Sequence, residues 1–383
     1  MSNWQIVKLI EVAEVQTGIS KSSQRRLKSP IELPYLRVAN VQDGFLDLEE
    51  IKTIEIERGK FERYSLKYGD VLLTEGGDFD KLGRGTIWRD EIKDCVHQNH
   101  VFVVRPKKKE LLPEYLSLLT SSDYGRRHFI KCSKQSTNLA SINSTQLKAF
   151  PVLLPEIDLQ QEIVKRASIW DTAIEKTEAL IDVKERQFGW LQKSLMQASS
   201  DDWSSCALEE ISKVKKGQQL NRDTLDESGQ YPVWNGGITP SGFTDKQNTP
   251  SNTITISEGG NSCGFVNYCN EGFWLGGHCY ALEKIDAEIF SQFLFFFLEA
   301  KERNIMRLRV GSGLPNIQKK DIEKLEVRYP GLEEQKHIAD TLNTAKQEIN
   351  LLKKLADQYR TQKRGLMQKL LSGEWHIKNK EVA

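Results

Sequence analysis

The chain has 383 residues, 54 Lys+Arg against 53 Asp+Glu for a net charge of +1, and 38% hydrophobic residues. That length predicts two or three domains, each able to bury its own core. A mean hydropathy of −0.51, with no apolar run near the ~20 residues of a membrane span, excludes a helical membrane protein. The start, Met1-Ser2-Asn3-Trp4, lacks the basic-then-apolar pattern of a signal peptide, so the expected setting is cytoplasmic.

In chain order, residues 1–150 read as mixed strands and short helices. Val71-Leu72-Leu73-Thr74 predicts a strand running into a Gly76-Gly77 turn, Val101-Phe102-Val103-Val104 a buried strand, and Pro113 to about Phe129 a helix. A long helix follows, in which Ile163, Ala167, Trp170, Ile174, Thr177, Ile181, Lys184, Phe188, Leu191 and Leu195 step by four and three throughout. Residues 201–328 form a second mixed region. There Thr253-Ile254-Thr255-Ile256-Ser257 predicts a strand running into Gly259-Gly260, and a helix runs from Ala287 to about Arg303. Phe293, Phe295, Phe296 and Phe297 are assigned to the core. A second long helix carries Ile338, Leu342, Ala345, Ile349, Leu352, Ala356, Tyr359, Lys363, Leu366 and Leu370 at the same spacing.

Sustained heptads of this kind predict coiled-coil seams of about 32 residues, roughly 48 Å each at 1.5 Å per residue. Pro155 with Asp158 and Gln161, and Pro330-Gly331, signal the helix starts; Ser372-Gly373 signals the second helix end. The first ends on Ser199-Ser200-Asp201, without a glycine. Thr177, Lys184 and Lys363 are polar seam positions that weaken the seam locally and fix its register. The two helices are expected to pair antiparallel within the chain, pairing between chains being the other arrangement.

The chain repeats itself once. Residues 138–196 align on 313–371 at an offset of 175, placing Leu147 on Ile322, Pro155 on Pro330, Gln160 on Gln335, Ile163 on Ile338 and Ile174 on Ile349. Nearer each start the offset widens: Leu9 meets Leu208 at 199, Glu75-Gly76-Gly77 meets Glu258-Gly259-Gly260 at 183, and His100 meets His278 at 178. The second copy has therefore lost residues in surface loops, where length change is cheap. A shared framework with different loops suggests two different targets.

Charge is unevenly placed: +4 over residues 1–150, −2 over 151–200, −4 over 201–330 and +3 over 331–383. The acidic second half is unlike a nucleic-acid binder, so any contact with DNA there needs local basic patches or a partner. The six cysteines form no CxxC pair and read as reduced thiols; Cys263, Cys269, His278 and Cys279 are the one group with metal-binding residue types, at no standard zinc spacing. The Glu-Gly-Gly loops lack nucleotide-binding spacing, and no methyltransferase, nuclease or cofactor motif is present. His100 and His278 read as structural.

Two pairs of loops do carry residues that read nucleic acid. Lys21, Ser23, Gln24, Arg25 and Arg26 follow Gly18, while Lys215, Lys216, Gln218, Gln219, Asn221 and Arg222 flank Gly217. Lys134, Thr137 and Asn138 form a second pair with Arg307 and Arg309. Cations suit phosphates, and Gln, Asn and Arg make paired hydrogen bonds to base edges. Each alone is an ordinary solvated loop; recurrence at equivalent places favours binding.

The order of these features resembles the specificity subunit of a type I restriction–modification system, over essentially the whole chain. The resemblance rests on Leu33-Pro34-Tyr35-Leu36-Arg37-Val38-Ala39-Asn40-Val41, on Gly69-Asp70-Val71-Leu72, and on Tyr231-Pro232-Val233-Trp234-Asn235-Gly236-Gly237. It rests also on Pro155-Gln160-Ile163 and Pro330-Gln335-Ile338 leading into the long helices. It implies an α+β chain of two mixed α/β target-recognition domains, separated by two long helices pairing as an antiparallel coiled coil, in a pseudo-two-fold internal repeat. The expected segments are recognition domains at 1–152 and 201–328, long helices at 153–200 and 329–375, and a tail at 376–383. The resemblance further implies a non-catalytic subunit that binds double-stranded DNA at a split, asymmetric site and needs no cofactor of its own. It would dock two methyltransferase subunits, and restriction subunits through the complex, with Gln160, Ile163, Trp170, Ile174, Gln335, Ile338, Leu342 and Ile349 serving the seam and docking surface. The alternative is a coiled-coil scaffold whose two globular domains bind proteins.

Overall fold

The computed structural model describes residues 4–20, 27–77, 82–135, 140–197, 202–221, 225–226, 228–311 and 315–375. Two compact units emerge, Met1–Thr177 with Leu355–Ala383, and Glu178–Lys354.

The first unit is built from β1 (Gln5–Lys8), α1 (Leu9–Val12), β2 (Ala13–Thr17), β3 (Pro30–Leu36), β4 (Lys52–Glu57), α2 (Phe61–Tyr64), β5 (Val71–Thr74), β6 (Gly76–Gly77), β7 (Gly85–Ile87), β8 (Val96–His97) and β9 (Val101–Pro106). It continues through α3 (Pro113–Ser121), α4 (Asp123–Cys132), β10 (Lys134–Gln135), β11 (Ala140–Ser141), α5 (Ser144–Lys148), β12 (Pro151–Leu154) and the first part of α6 (Ile157–Gln197). Its main sheet has the antiparallel order β2-β9-β5-β7; a second, β4-β3-β8, joins β3 to β8 in parallel, and β1 pairs with β12. Val71, Leu73, Phe102 and Val104 press one face of the main sheet on Tyr115, Leu116, Leu119 and Phe129 of the helices. The opposite residues, Leu72, Val101 and Val103, pack on Leu36 and Trp88. A strand with both faces covered reads as a continuous apolar run, as Val101–Val104 does.

The second unit follows a similar but shorter order with β13 (Ser204–Ala207), α7 (Leu208–Ile211), β14 (Lys213–Lys216), β15 (Tyr231–Trp234), β16 (Phe243–Thr244), β17 (Thr253–Ser257), β18 (Val266–Cys269), β19 (Trp274–Leu275) and β20 (Cys279–Glu283). Then come α8 (Ser291–Ala300), α9 (Glu302–Arg307), α10 (Lys319–Glu323), β21 (Glu326–Tyr329) and α11 (Leu332–Leu371), whose last part belongs to the first unit. The sheets are β14-β20-β17-β18, β16-β15-β19 with a parallel β15–β19 pair, and β13-β21. Phe293, Phe295, Phe296 and Phe297 lie in the core, as their apolar run suggests.

Two local expectations are corrected. The segment from Pro113 to Phe129 is two helices, because Ser122 leaves helical geometry and its hydroxyl accepts the Gly125 N–H at 3.3 Å, capping α4. Its counterpart likewise divides into α8 and α9 at Lys301. Gly76-Gly77 is a strand rather than a turn, pairing with Ser141 and Ala140; a Cβ on Gly76 would stand 2.4 Å from the Ala140 carbonyl oxygen.

The long helices have 41 and 40 residues. In the first unit Ile163 and Ala167 of α6 share a cluster with Met367, Leu370 and Leu371 of α11, Trp170 meets Tyr359 edge-on, and Lys363 reaches Asp171. In the second unit Phe188, Leu191 and Leu195 pack with Ile338, Ala339 and Leu342, and Lys184–Glu348 and Lys353–Glu185 flank them at 2.8 and 2.6 Å. Lys184 and Lys363 are thus half-covered along their stems, with their charges answered.

Candidate nucleic-acid interface

The framework residues that open each long helix are fully buried. Gln160 Oε1 accepts the Leu112 N–H, and its Nε2 donates to the Glu110 and Pro155 carbonyls, at 2.8–2.9 Å. Gln335 does the same with Phe290, Glu288 and Pro330. Both are 0% exposed, so these glutamines fasten helix to globular body and present nothing to a partner. Ile163, Ile338, Leu342 and Ile349 are also buried, while Trp170 and Ile174 are half-buried.

Motif residues of the first unit are structural as well. Asp70, 1% exposed, takes both Nε and Nη2 of Arg105 at 2.7 Å and the Lys67 N–H at 2.8 Å. Asn40 holds its own loop through Arg37, Asp47 and Glu50. Glu75 is held by backbone bonds to His100 and Ile142, and its carboxylate pairs with the His100 imidazole.

In the second unit β14 is followed by Gly217, where a Cβ would meet the Gly276 carbonyl oxygen at 2.1 Å. Only glycine allows that approach. The following loop is tied down by Gln218 N–H to Leu275 O at 2.9 Å and by Trp274 Nε1 to Gln218 O at 3.0 Å. Beside it opens a surface cavity of about 650 Å³ walled by Lys216, Asn235, Glu258, Asn261, His278 and Asn316. A smaller one of about 400 Å³, sharing Asn235 with the first, carries Gln219. Lys216 Nζ lies 2.6 Å from Glu258 Oε1, and Lys215 Nζ 2.7 Å from Glu283. Tyr280 donates its hydroxyl to Glu258 at 2.9 Å; burial first, then this bond, holds that phenol above its ordinary range.

Of the residues singled out for DNA, Lys216 and Gln219 share these adjoining cavities, and Gln218 and Asn221 lie on the same loop. Lys215 points to the strand carboxylate of Glu283. Arg307 ends α9 and Arg309 precedes the Val310–Asn316 bridge, both exposed. Lys134 is exposed on β10. Lys21, Ser23, Gln24, Arg25, Arg26, Thr137, Asn138 and Arg222 lie outside the described residues, as do Ser199, Ser200 and Asp201. Glu258, Tyr280, Asn235, Asn261 and Asn316 were not singled out; the recurrence of Glu-Gly-Gly at 75 and 258 is the signal that points to them. Among the described residues no group of three His, Cys, Asp or Glu is placed to hold a metal. Cys269 and Cys279, pushed up to about 12 by burial, are packed thiols.

The sequence profile of the family described as "Type I restriction modification DNA specificity domain" matches residues 1–185 and 200–358. The chain belongs to that family. The family is the DNA-recognition component of type I restriction–modification systems and is not its catalytic part. Among relatives, the inferred specificity subunit of type I restriction enzyme MjaX from Methanocaldococcus jannaschii is 25% identical, covering 98% of this chain and 94% of the relative. The type I restriction enzyme EcoKI specificity subunit of Escherichia coli is 28% identical over 181 residues, 46% of this chain and 36% of the relative. The fold is similar to the crystal structure of a type I restriction–modification S subunit from M. genitalium, with a TM-score of 0.62, 17% identity and 96% of each chain covered. No helix among the described residues is long and apolar enough to cross a membrane.

Proposed function

We propose that this specificity subunit reads a bipartite, asymmetric sequence in double-stranded DNA, one half-site with residues 1–152 and the other with 201–328. The observation that carries this reading is that three sheets of matching strand order occur in both units, with different chemistry at the matched Glu75 and Glu258. A common framework with divergent loops suits two recognition events of the same kind. Lys21–Arg26, Lys134–Asn138, Lys215–Arg222, Arg307 and Arg309 supply phosphate and base contacts, cations positioning the duplex and amides reading it. The two units act as a pseudo-two-fold repeat, and α6 with α11 as an antiparallel coiled-coil spacer. With the seam residues turned inward, docking of two methyltransferase subunits falls to the outer helix faces, where Leu180, Val183 and Trp190 are 42–68% exposed. Those partners, and the restriction subunits joined through them, supply adenine methylation, translocation and cleavage in the cytoplasm.

The test exchanges residues 1–152 for the corresponding domain of another specificity subunit and maps the methylated motif of the assembled complex. One half-site changes and the other stays. A motif altered in both halves, or left as it was, defeats the reading.

A further inference from the structure

Glu258 combines burial, a cavity and an unanswered oxygen. It is 9% exposed and lines the larger cavity of the second unit. Oε1 takes both donors, Lys216 and Tyr280, whereas Oε2 is buried and accepts no hydrogen bond from any described residue. A buried acceptor without a donor forgoes its hydration for nothing, so the arrangement favours a donor brought from outside.

The first unit has the same backbone and a different solution. Glu75 N–H donates to His100 O at 2.9 Å and Ile142 N–H to Glu75 O at 2.8 Å; Glu258 repeats both bonds with His278 and Ile317 at 2.9 and 2.8 Å. In the first unit the His100 side chain takes the carboxylate. In the second the His278 ring is exposed and forms part of the cavity wall. The facing strand pair is Thr17–Phe102 in one unit and Lys216–Tyr280 in the other. Both donors to Glu258 therefore come from residues peculiar to the second unit, and they engage one oxygen only.

We propose that Glu258 is a base-reading residue of the second half-site, accepting a hydrogen bond from the exocyclic amino group of a cytosine or adenine. This rests on the reading of the chain as a DNA-recognition subunit. In the major groove the only donors are cytosine N4 and adenine N6; guanine O6 and N7, thymine O4 and every phosphate are acceptors that a carboxylate repels. Lys216 offsets the carboxylate charge as the DNA backbone approaches. The last torsion of a glutamate is soft, so the free oxygen turns toward a donor at the cavity surface, where the side chain is 11% exposed. Asn261, Asn316 and the His278 ring border the same opening.

The test uses the full chain assembled with its methyltransferase subunits. Once the wild-type motif is mapped, binding is measured on duplexes lacking the exocyclic amino group at each A or C of the second half-site in turn, for wild type and Glu258→Ala, whose side chain has no acceptor. One position is expected to lose about tenfold in affinity (about 1.4 kcal/mol) with wild type and almost nothing with the variant. Cytosine or adenine at that position names the base. Wild type indifferent to every deletion, or equal losses in both proteins, overturns the proposal while the two-half-site reading stands. The wild-type arm decides alone if the variant does not fold. A wild-type complex without sequence-selective binding overturns both.

Discussion

Gln160 Oε1, in the first turn of α6, accepts at 2.9 Å the N–H of Leu112, the residue before α3 and 48 residues back along the chain. The same amide donates to the Glu110 and Pro155 carbonyls, so one buried side chain satisfies three backbone groups. Gln160→Ala takes the partner from all three, of which the Pro155 carbonyl bond is fully buried and the other two part-buried. It is expected to lower stability by about 3 kcal/mol, since each unanswered buried group costs about 1–3 kcal/mol. Gln160→Glu is expected to cost more, setting a carboxylate against two carbonyl oxygens. Denaturant unfolding of the whole chain measures both, and an alanine variant indistinguishable from wild type would remove the fastening role.

A second expectation concerns acid. His97 is 1% exposed and its Nδ1 lies 2.8 Å from Val101 O. Burial foremost lowers its pKa to about 4, against an ordinary value of 6.5. Between these values the unfolded chain binds a proton that the folded one refuses, so stability rises with pH across that window. Held neutral, His97 withdraws on the order of 3 kcal/mol as the pH falls from about 6.5 to 4. His97→Gln has no proton to gain there, and its stability curve is expected to be flatter by that amount. Parallel curves for the two proteins would show that something else titrates.

These two residues mark how far the sequence reaches. The covered stripe of each long helix is legible because every fourth and third residue is apolar or covered: Ile163, Trp170, Ile349 and Leu370 fall where the spacing puts them. The recurrence of Gln160 at Gln335 is equally visible, yet its meaning is not, since a polar residue opening a helix is commonly solvated and only the fold buries this one. Lys215 and Lys216 read as loop cations because their partners, Glu283 and Glu258, lie 68 and 42 residues away. The break at Ser122 was hidden because α3 and α4 turn their apolar faces to one core, leaving the pattern unbroken. Periodicity reports what lies along an element; it does not report what a strand brings from far along the chain.

The spacer proposed for α6 and α11 makes a metric prediction. Seven residues inserted after Thr177 and seven after Lys354 preserve the heptad register of both seams. At 1.5 Å per residue they lengthen each helix by about 10 Å, equivalent to about three base pairs at 3.4 Å each. Neither globular body is altered, so each half-site sequence is expected to persist while the unspecified gap between them grows by that amount. Inserting four residues instead rotates the buried stripe away from its partner, and is expected to destabilise the pair through Leu342 and Ile349, both buried. The readout is the methylated motif of the assembled complex, with unfolding measured alongside. A seven-residue variant that folds, keeps both half-sites and keeps the original gap would show that the spacing is set by something other than the helices.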